Sequence, residues 1–299
     1  MTADGTVTAH TGDRAAGDRP SGDRVTGSSA RARSADANAP VVSTHDLTVV
    51  YDTAAVVDGV DLDIAPGEVV ALLGHSGSGK STLMKALTGM APVARGGARV
   101  TGREITGLRG RALRSLRADV GHVFQNFHLV PRLSALANVL SGGLYHAGPA
   151  SVAGVFSREQ RTRALALLDR VGLADQARQQ ARTLSGGQQQ RVAIARALMQ
   201  DPKLILADEP VASLDPRLAG SVLGLLSDLA RERGVPVLVS LHVVALARHY
   251  SDRTVGLRDG RVVADLASTD LGPDTVREIY GADTEFGTEA APAGPEEDA

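Results

Sequence analysis

Residues 69–82 read Val69-Val70-Ala71-Leu72-Leu73-Gly74-His75-Ser76-Gly77-Ser78-Gly79-Lys80-Ser81-Thr82. Five apolar residues in a row suit a strand buried on both faces of a parallel sheet. Beyond the loop, Leu83-Met84-Lys85-Ala86-Leu87 has helical character. Strand, glycine loop and helix, in that order, make a phosphate-binding loop. The glycines allow backbone angles closed to other residues and a close approach to oxygens. Successive N–H groups then point inward, and the helix N-terminus adds positive potential. Lys80 is placed to reach the β- and γ-phosphates of ATP, and the Ser81 hydroxyl to sit on Mg²⁺. Residues 74–82, with His75, Ser76 and Ser78 between the fixed positions and Thr82 after them, form the expected nucleotide cradle.

A second apolar run, Leu204-Ile205-Leu206-Ala207, ends in Asp208-Glu209. An acidic residue at the carboxyl end of a parallel strand faces the same crevice as the phosphate loop. Asp208 suits the Mg²⁺ shell through water, since Mg²⁺ keeps several of its waters. Glu209, one residue on, is placed to polarise an attacking water as general base. Leu184-Ser185-Gly186-Gly187-Gln188 precedes a helical stretch, Gln189 to Leu198. Ser-Gly-Gly at a helix start repeats the anion-site logic of the first loop.

These motifs, from Val41 to Gly281, resemble the nucleotide-binding subunit of ATP-binding-cassette (ABC) transporters. The resemblance implies an α/β fold: a P-loop (RecA-like) ATPase core with an antiparallel β subdomain and an inserted α-helical subdomain. It implies a homodimer in which Ser185, Gly186, Gly187 and Gln188 of one subunit close on the γ-phosphate held by the other. Tyr51 matches the aromatic that stacks on adenine. Gln125 matches the glutamine that touches Mg²⁺ and relays nucleotide state to the membrane partner. Asp215, in Ser213-Leu214-Asp215, matches a loop that crosses the dimer interface. His242, ending the run Val237-Leu238-Val239-Ser240-Leu241, matches the histidine that contacts the γ-phosphate. His75 falls where the family varies, and the histidines show no metal-ligand spacing.

Composition sets the outer bounds. Apolar content of 43% and a net charge of −2 describe an ordinary globular protein and argue against a basic nucleic-acid binder. Zero cysteines excludes disulfides, thiolate metal sites and cysteine nucleophiles. No run approaches the apolar length of a membrane span and no signal-peptide core is present, so a cytoplasmic location is expected. Residues 1–40, with Gly-Asp-Arg recurring at 12, 17 and 22, read as a disordered extension. Residues 283–299, closing in Glu296-Glu297-Asp298, read as a disordered acidic tail.

Between them, 41–282 is expected to hold the whole ATPase domain. Val41 to Ala65 alternates apolar and polar residues, an antiparallel strand pattern. From about 92 to 183, Leu113, Leu116, Leu136, Val139, Leu165, Leu168 and Val171 fall at helical spacings, and this stretch is expected to be the helical subdomain. Within it, 146–156 reads as a loop. Asp259-Gly260 between alternating segments predicts a hairpin.

Several stretches are most similar to the ATP-binding subunit of bacterial phosphonate importers: 123–134, 207–216, Ser240-Leu241-His242, 256–260 and Glu278-Ile279-Tyr280-Gly281. That resemblance implies two integral-membrane permease subunits, an extracytoplasmic substrate-binding protein and a seat on the cytoplasmic face of the membrane. Alternatives are an importer of phosphate, phosphite or another small anion, an exporter of lipoprotein type, and a cassette ATPase acting outside transport.

Overall fold

The computed structural model describes residues 39–146, 154–212 and 214–281. The Gly-Asp-Arg repeats, the acidic tail, Ser213 and most of the 146–156 loop lie outside the described residues. The chain first runs through β1 (Val42–Tyr51), β2 (Ala54–Ile64), β3 (Val69–Leu73), α1 (Lys80–Leu87), β4 (Arg95–Val100), β5 (Arg103–Glu104), α2 (Gly110–Asp119) and β6 (Val120–Val123). It continues through α3 (Ala135–Gly142), α4 (Arg158–Arg170), α5 (Gly186–Met199), β7 (Leu204–Ala207) and α6 (Pro216–Arg233). Then follow β8 (Val237–Ser240), α7 (Val244–Tyr250), β9 (Arg253–Arg258), β10 (Arg261–Ala267) and α8 (Pro273–Tyr280).

Strands β10-β9-β3-β8-β7-β6 form one sheet, parallel except for the β9–β10 hairpin. Every residue of β3, β7 and β8 is buried, as uninterrupted apolar runs require in a sheet covered on both sides. Side chains alternate between the two faces of a strand. Val70 and Leu72 therefore join a core with Leu83, Met84 and Leu87 of α1 and with Val42, Val49 and Ile64 of the first hairpin. Val69, Ala71 and Leu73 join the opposite core with Val222, Leu223 and Leu226 of α6. The second sheet, β2-β1-β4-β5, is antiparallel throughout and covers the α1 side. Asp259 and Gly260 both take positive φ, 51° and 80°, as a tight hairpin between right-twisted strands demands.

Helices α3, α4 and α5 pack on one another, burying Val139, Ala164, Leu168 and Ile194. Each begins at a serine whose hydroxyl accepts a backbone N–H: Ser134 from Ala137, Ser157 from Gln160 and Ser185 from Gln188. Leu113 and Leu116 lie on α2, and the mutually packed helices begin at Ser134 and run past 183 to Met199. On either side of α2, residues 95–104 supply β4 and β5 to the antiparallel sheet and residues 120–123 supply β6 to the edge of the parallel one. Within Arg95-Gly96-Gly97-Ala98-Arg99-Val100 only Ala98 and Val100 reach the core, so pairing with β1, not its own apolar pattern, makes this a strand. Leu165 is 43% exposed, because the buried stripe of α4 passes through Ala164, Leu167 and Leu168.

Register aligns the carboxyl ends of the parallel strands. Leu72 lies opposite Ser240, Ala207 opposite Val239 and Val123 opposite Ala207. The phosphate loop, Asp208-Glu209, Leu241-His242 and Phe124-Gln125 consequently leave the sheet along one edge.

Candidate functional site

The loop from Gly74 to Gly79 is built against strands on both sides. Gly74 has φ +153°, and a Cβ there would lie 2.2 Å from the Leu257 carbonyl oxygen. Gly79 has φ +105°, and a Cβ there would lie 2.5 Å from the Val56 carbonyl oxygen. Only glycine permits both the conformation and the approach. Lys80 is buried, and its Nζ donates to the carbonyls of Gly74 (2.7 Å) and His75 (3.0 Å), so the ammonium is held inside the curl of the loop. Burial pushes the Lys80 pKa down, while the carboxylates of Glu209 and Asp208 pull it back up. The buried Ser78 Oγ finds no hydrogen-bond partner, an orphan that a phosphate oxygen would satisfy. His75 Nε2 lies 3.6 Å from Asp259 Oδ1 on the β9–β10 turn.

Opposite the loop stands an acidic ridge. The Ser81 hydroxyl donates to Asp208 Oδ1 at 3.0 Å, and the Ser240 hydroxyl donates to the same oxygen at 2.9 Å. Ser240 Oγ also accepts the backbone N–H of Glu209 at 2.8 Å. Glu209 is held at φ +48°, a strained value for a residue with a side chain. Its carboxylate is gripped at both oxygens: Gln125 Nε2 donates to Oε2 at 2.8 Å, and His242 Nε2 lies 2.5 Å from Oε1. The group is mostly covered, with 16% of its side chain exposed, so it works in a shielded environment. A hydroxyl and one carboxylate are hard oxygen donors of the kind Mg²⁺ takes beside phosphate oxygens and water. The Ser81–Asp208 pair fits that ion.

Lys80, Ser81, Gln125, Asp208, Glu209 and His242 thus converge, although up to 127 residues separate contacting partners. Ser240 is the residue that sequence reasoning left without a role. Its signal was a serine ending the apolar run Val237-Leu238-Val239, where a buried hydroxyl must find partners.

Leu184 to Gln188 stands apart from this centre. Ser185 and Gln188 form a capping box: Gln188 N–H donates to Ser185 Oγ at 3.3 Å, and Ser185 N–H to Gln188 Oε1 at 2.9 Å. The Gln188 side chain is therefore engaged by its own helix, whereas the Ser185 hydroxyl proton remains available. No described hydrogen bond or ion pair joins 184–188 to the phosphate loop, Asp208 or Glu209. Gly187 is buried against α6, and a Cβ there would lie 2.2 Å from Leu218 Cδ2, so that side chain would have to turn aside. At exposed Gly186 a Cβ would meet nothing within 4 Å.

Tyr51, opposite Ala54 at the end of the first hairpin, is 42% exposed and free to receive a flat ligand. Val56, two residues along β2 from Ala54, lies against Gly79, which brings this hairpin end beside the phosphate loop. Asp215 caps α6, accepting the Leu218 N–H at 3.0 Å, with Pro216 in the first turn. His122, stacked on Phe124 with ring centroids 3.9 Å apart, has its pKa pushed down to about 4 by burial.

A family model described as ABC transporter matches residues 57–212. The phosphonates import ATP-binding protein PhnC of Rhizobium etli is 47% identical over 239 residues, covering 80% of this chain and 85% of the relative. The phosphate-import ATP-binding protein PhnC of Mycolicibacterium smegmatis is 50% identical over 241 residues, covering 80% and 92%. Among solved structures, the dimeric post-hydrolysis state of the ATP-binding cassette MJ0796 bound to ADP and Pi superposes with a TM-score of 0.70. That cassette is 35% identical, with 76% of this chain and 98% of that one aligned.

Proposed function

The chain belongs to the ABC transporter family, and from that premise we propose that it hydrolyses ATP to drive phosphonate uptake as the nucleotide-binding subunit of an importer. One observation carries the hydrolytic assignment: Glu209 stands between Gln125 and His242, one residue beyond Asp208 and across from Lys80. In this reading the phosphate loop and Lys80 bind the triphosphate, and Tyr51 stacks on adenine. Ser81 and Asp208, together with Gln125, would hold Mg²⁺, whose charge would offset that of the phosphate oxygens. Glu209 takes a proton from the attacking water, and His242 orients that carboxylate and meets the γ-phosphate.

The second half of the site comes from a second copy. Ser185 offers its hydroxyl proton, and exposed Gly186 has no packing reason of its own to be glycine. Both features suit a surface that a partner's nucleotide approaches closely, with Asp215 and the segment before it crossing the same interface. Closing and reopening the pair moves α3–α5, which are read as the docking part for two permease subunits. An extracytoplasmic binding protein would deliver substrate. No helix among the described residues is long and apolar enough to cross a membrane, so attachment to the cytoplasmic face would run through the permease.

The cargo follows from the Rhizobium etli relative, and the phosphate-import relative supports phosphate as a second reading. Growth with a phosphonate as sole phosphorus source, in a host lacking other uptake routes, tests the first. The wild-type chain with its permease should support growth and Lys80→Ala should not. Equal growth of the two would remove the phosphonate assignment. A Lys80→Ala defect confined to limiting inorganic phosphate would install the phosphate reading instead.

A further inference from the structure

Arg196 lies on α5, eleven residues beyond the Ser185 cap, and its half-buried guanidinium leaves the helix for the loop that carries Gln125. Nη2 donates to the Phe127 carbonyl at 2.8 Å and Nη1 to the His128 carbonyl at 2.5 Å. Both residues are strained, with φ of +55° and +49°. Two consecutive left-handed residues that are not glycine persist only where the surroundings enforce them. Here the enforcement is a planar fork of fixed donors, which suits two adjacent carbonyls as a single ammonium would not.

The rest of the loop shows what this grip achieves. Phe127 N–H closes a turn on the Phe124 carbonyl at 3.1 Å, with Gln125 and Asn126 inside it. Upstream, the loop is anchored where Asp208 N–H donates to the Val123 carbonyl at 2.9 Å, beside Glu209. Downstream, the anchor is Arg196. The Arg196 backbone is itself fixed, since a Cβ on Gly142 of α3 would lie 2.0 Å from its carbonyl oxygen. Gln125 is thereby held between two fixed points with its amide on Glu209. We infer that Arg196 is a positioning residue for hydrolysis, holding Phe127 and His128 left-handed so that Gln125 stays on Glu209. It also makes α5 a rigid link from the Ser185 cap to its own subunit's Gln125. The inference rests on the assignment of Gln125 and Glu209 to ATP hydrolysis.

The test is a mutant cycle on the full-length chain, with ATP turnover and ATP affinity measured separately. Arg196→Ala should lower kcat on the order of 10–100-fold with little change in ATP affinity, because a small displacement of a catalytic neighbour is that costly. In a Gln125→Ala background the same substitution should cost almost nothing further. Replacing Phe127 and His128 together by glycine in Arg196→Ala should restore most of kcat, since glycine takes positive φ without strain. Arg196→Lys should recover part of it. An Arg196→Ala defect that multiplies fully with Gln125→Ala, or that glycine leaves unrelieved, would overturn the inference and leave the hydrolytic assignment standing. A Gln125→Ala chain with normal turnover would strike the assignment and take the inference with it. Should Arg196→Ala not fold, Arg196→Lys with and without the glycines carries the same comparison.

Discussion

The Ser81 hydroxyl and the Asp208 carboxylate meet at 3.0 Å, joining the first turn of the phosphate-loop helix to the end of a strand 127 residues away. Two hard oxygen donors held this close are of the kind that would hold Mg²⁺ beside a bound nucleotide in the proposed reading. Ser240 holds Asp208 from the other side. Asp208→Asn should therefore raise the Mg²⁺ concentration needed for half-maximal ATP turnover by about tenfold or more. Turnover titrated against Mg²⁺ reads this directly. An unchanged Mg²⁺ midpoint would remove Asp208 from the shell.

Glu209→Gln keeps the shape of the side chain and loses the proton acceptor. ATP binding should persist while hydrolysis falls by roughly 10²–10⁴-fold. Equilibrium binding beside steady-state turnover separates the two, and near-normal turnover would end the assignment of Glu209 as base.

Ser185 does two jobs in the proposed reading, capping α5 and donating to a partner's phosphate. Aspartate is as good a cap as serine. Ser185→Asp should therefore melt within a few degrees of the wild type yet lose hydrolysis, because its carboxylate would face phosphate. Gly186→Ala should behave alike, since its Cβ meets nothing in its own subunit. Thermal melts and turnover decide it: full hydrolysis by both variants would refute the shared site.

His122 makes a pH prediction. Burial pushes its imidazole from 6.5 to about 4, so the folded ring stays neutral where the unfolded chain takes a proton. Between those values the unfolded state binds more protons, and stability must fall as pH falls from 6.5 towards 4. The full effect is up to about 3 kcal/mol. His122→Phe preserves a ring against Phe124 and removes the titration. Denaturant midpoints at pH 7 and pH 5 should draw closer together in that variant, and an equal acid loss in both chains would exclude His122 as the cause.

The parts of the fold legible beforehand were those whose physics is local. The buried runs at β3, β7 and β8 and the Asp259-Gly260 turn each carry their reason in a few neighbouring residues. The strands between 95 and 123 carry no such reason. β6 is four residues at a sheet edge, and β4 exposes or half-exposes most of its side chains, so partners make them strands. Ser240 and Arg196 were missed for a related cause. A serine at a strand end and an arginine on a helix are ordinary until their partners are known, and those partners lie 32 and 68 residues away in sequence.

What the sequence determined alone was the machine: a phosphate loop between strand and helix, an acidic strand end, and a second Ser-Gly-Gly helix start. Spacing suffices there because the backbone itself forms these sites. The tertiary structure decided how the machine is set. It placed Gln125 and His242 on the two oxygens of Glu209, turned Gln188 back onto Ser185, and set Gly187 against Leu218 while leaving Gly186 open. Those outcomes depend on strand register and helix contact between distant segments, and they become definite only when the two sheets and the helical layer have closed on their cores.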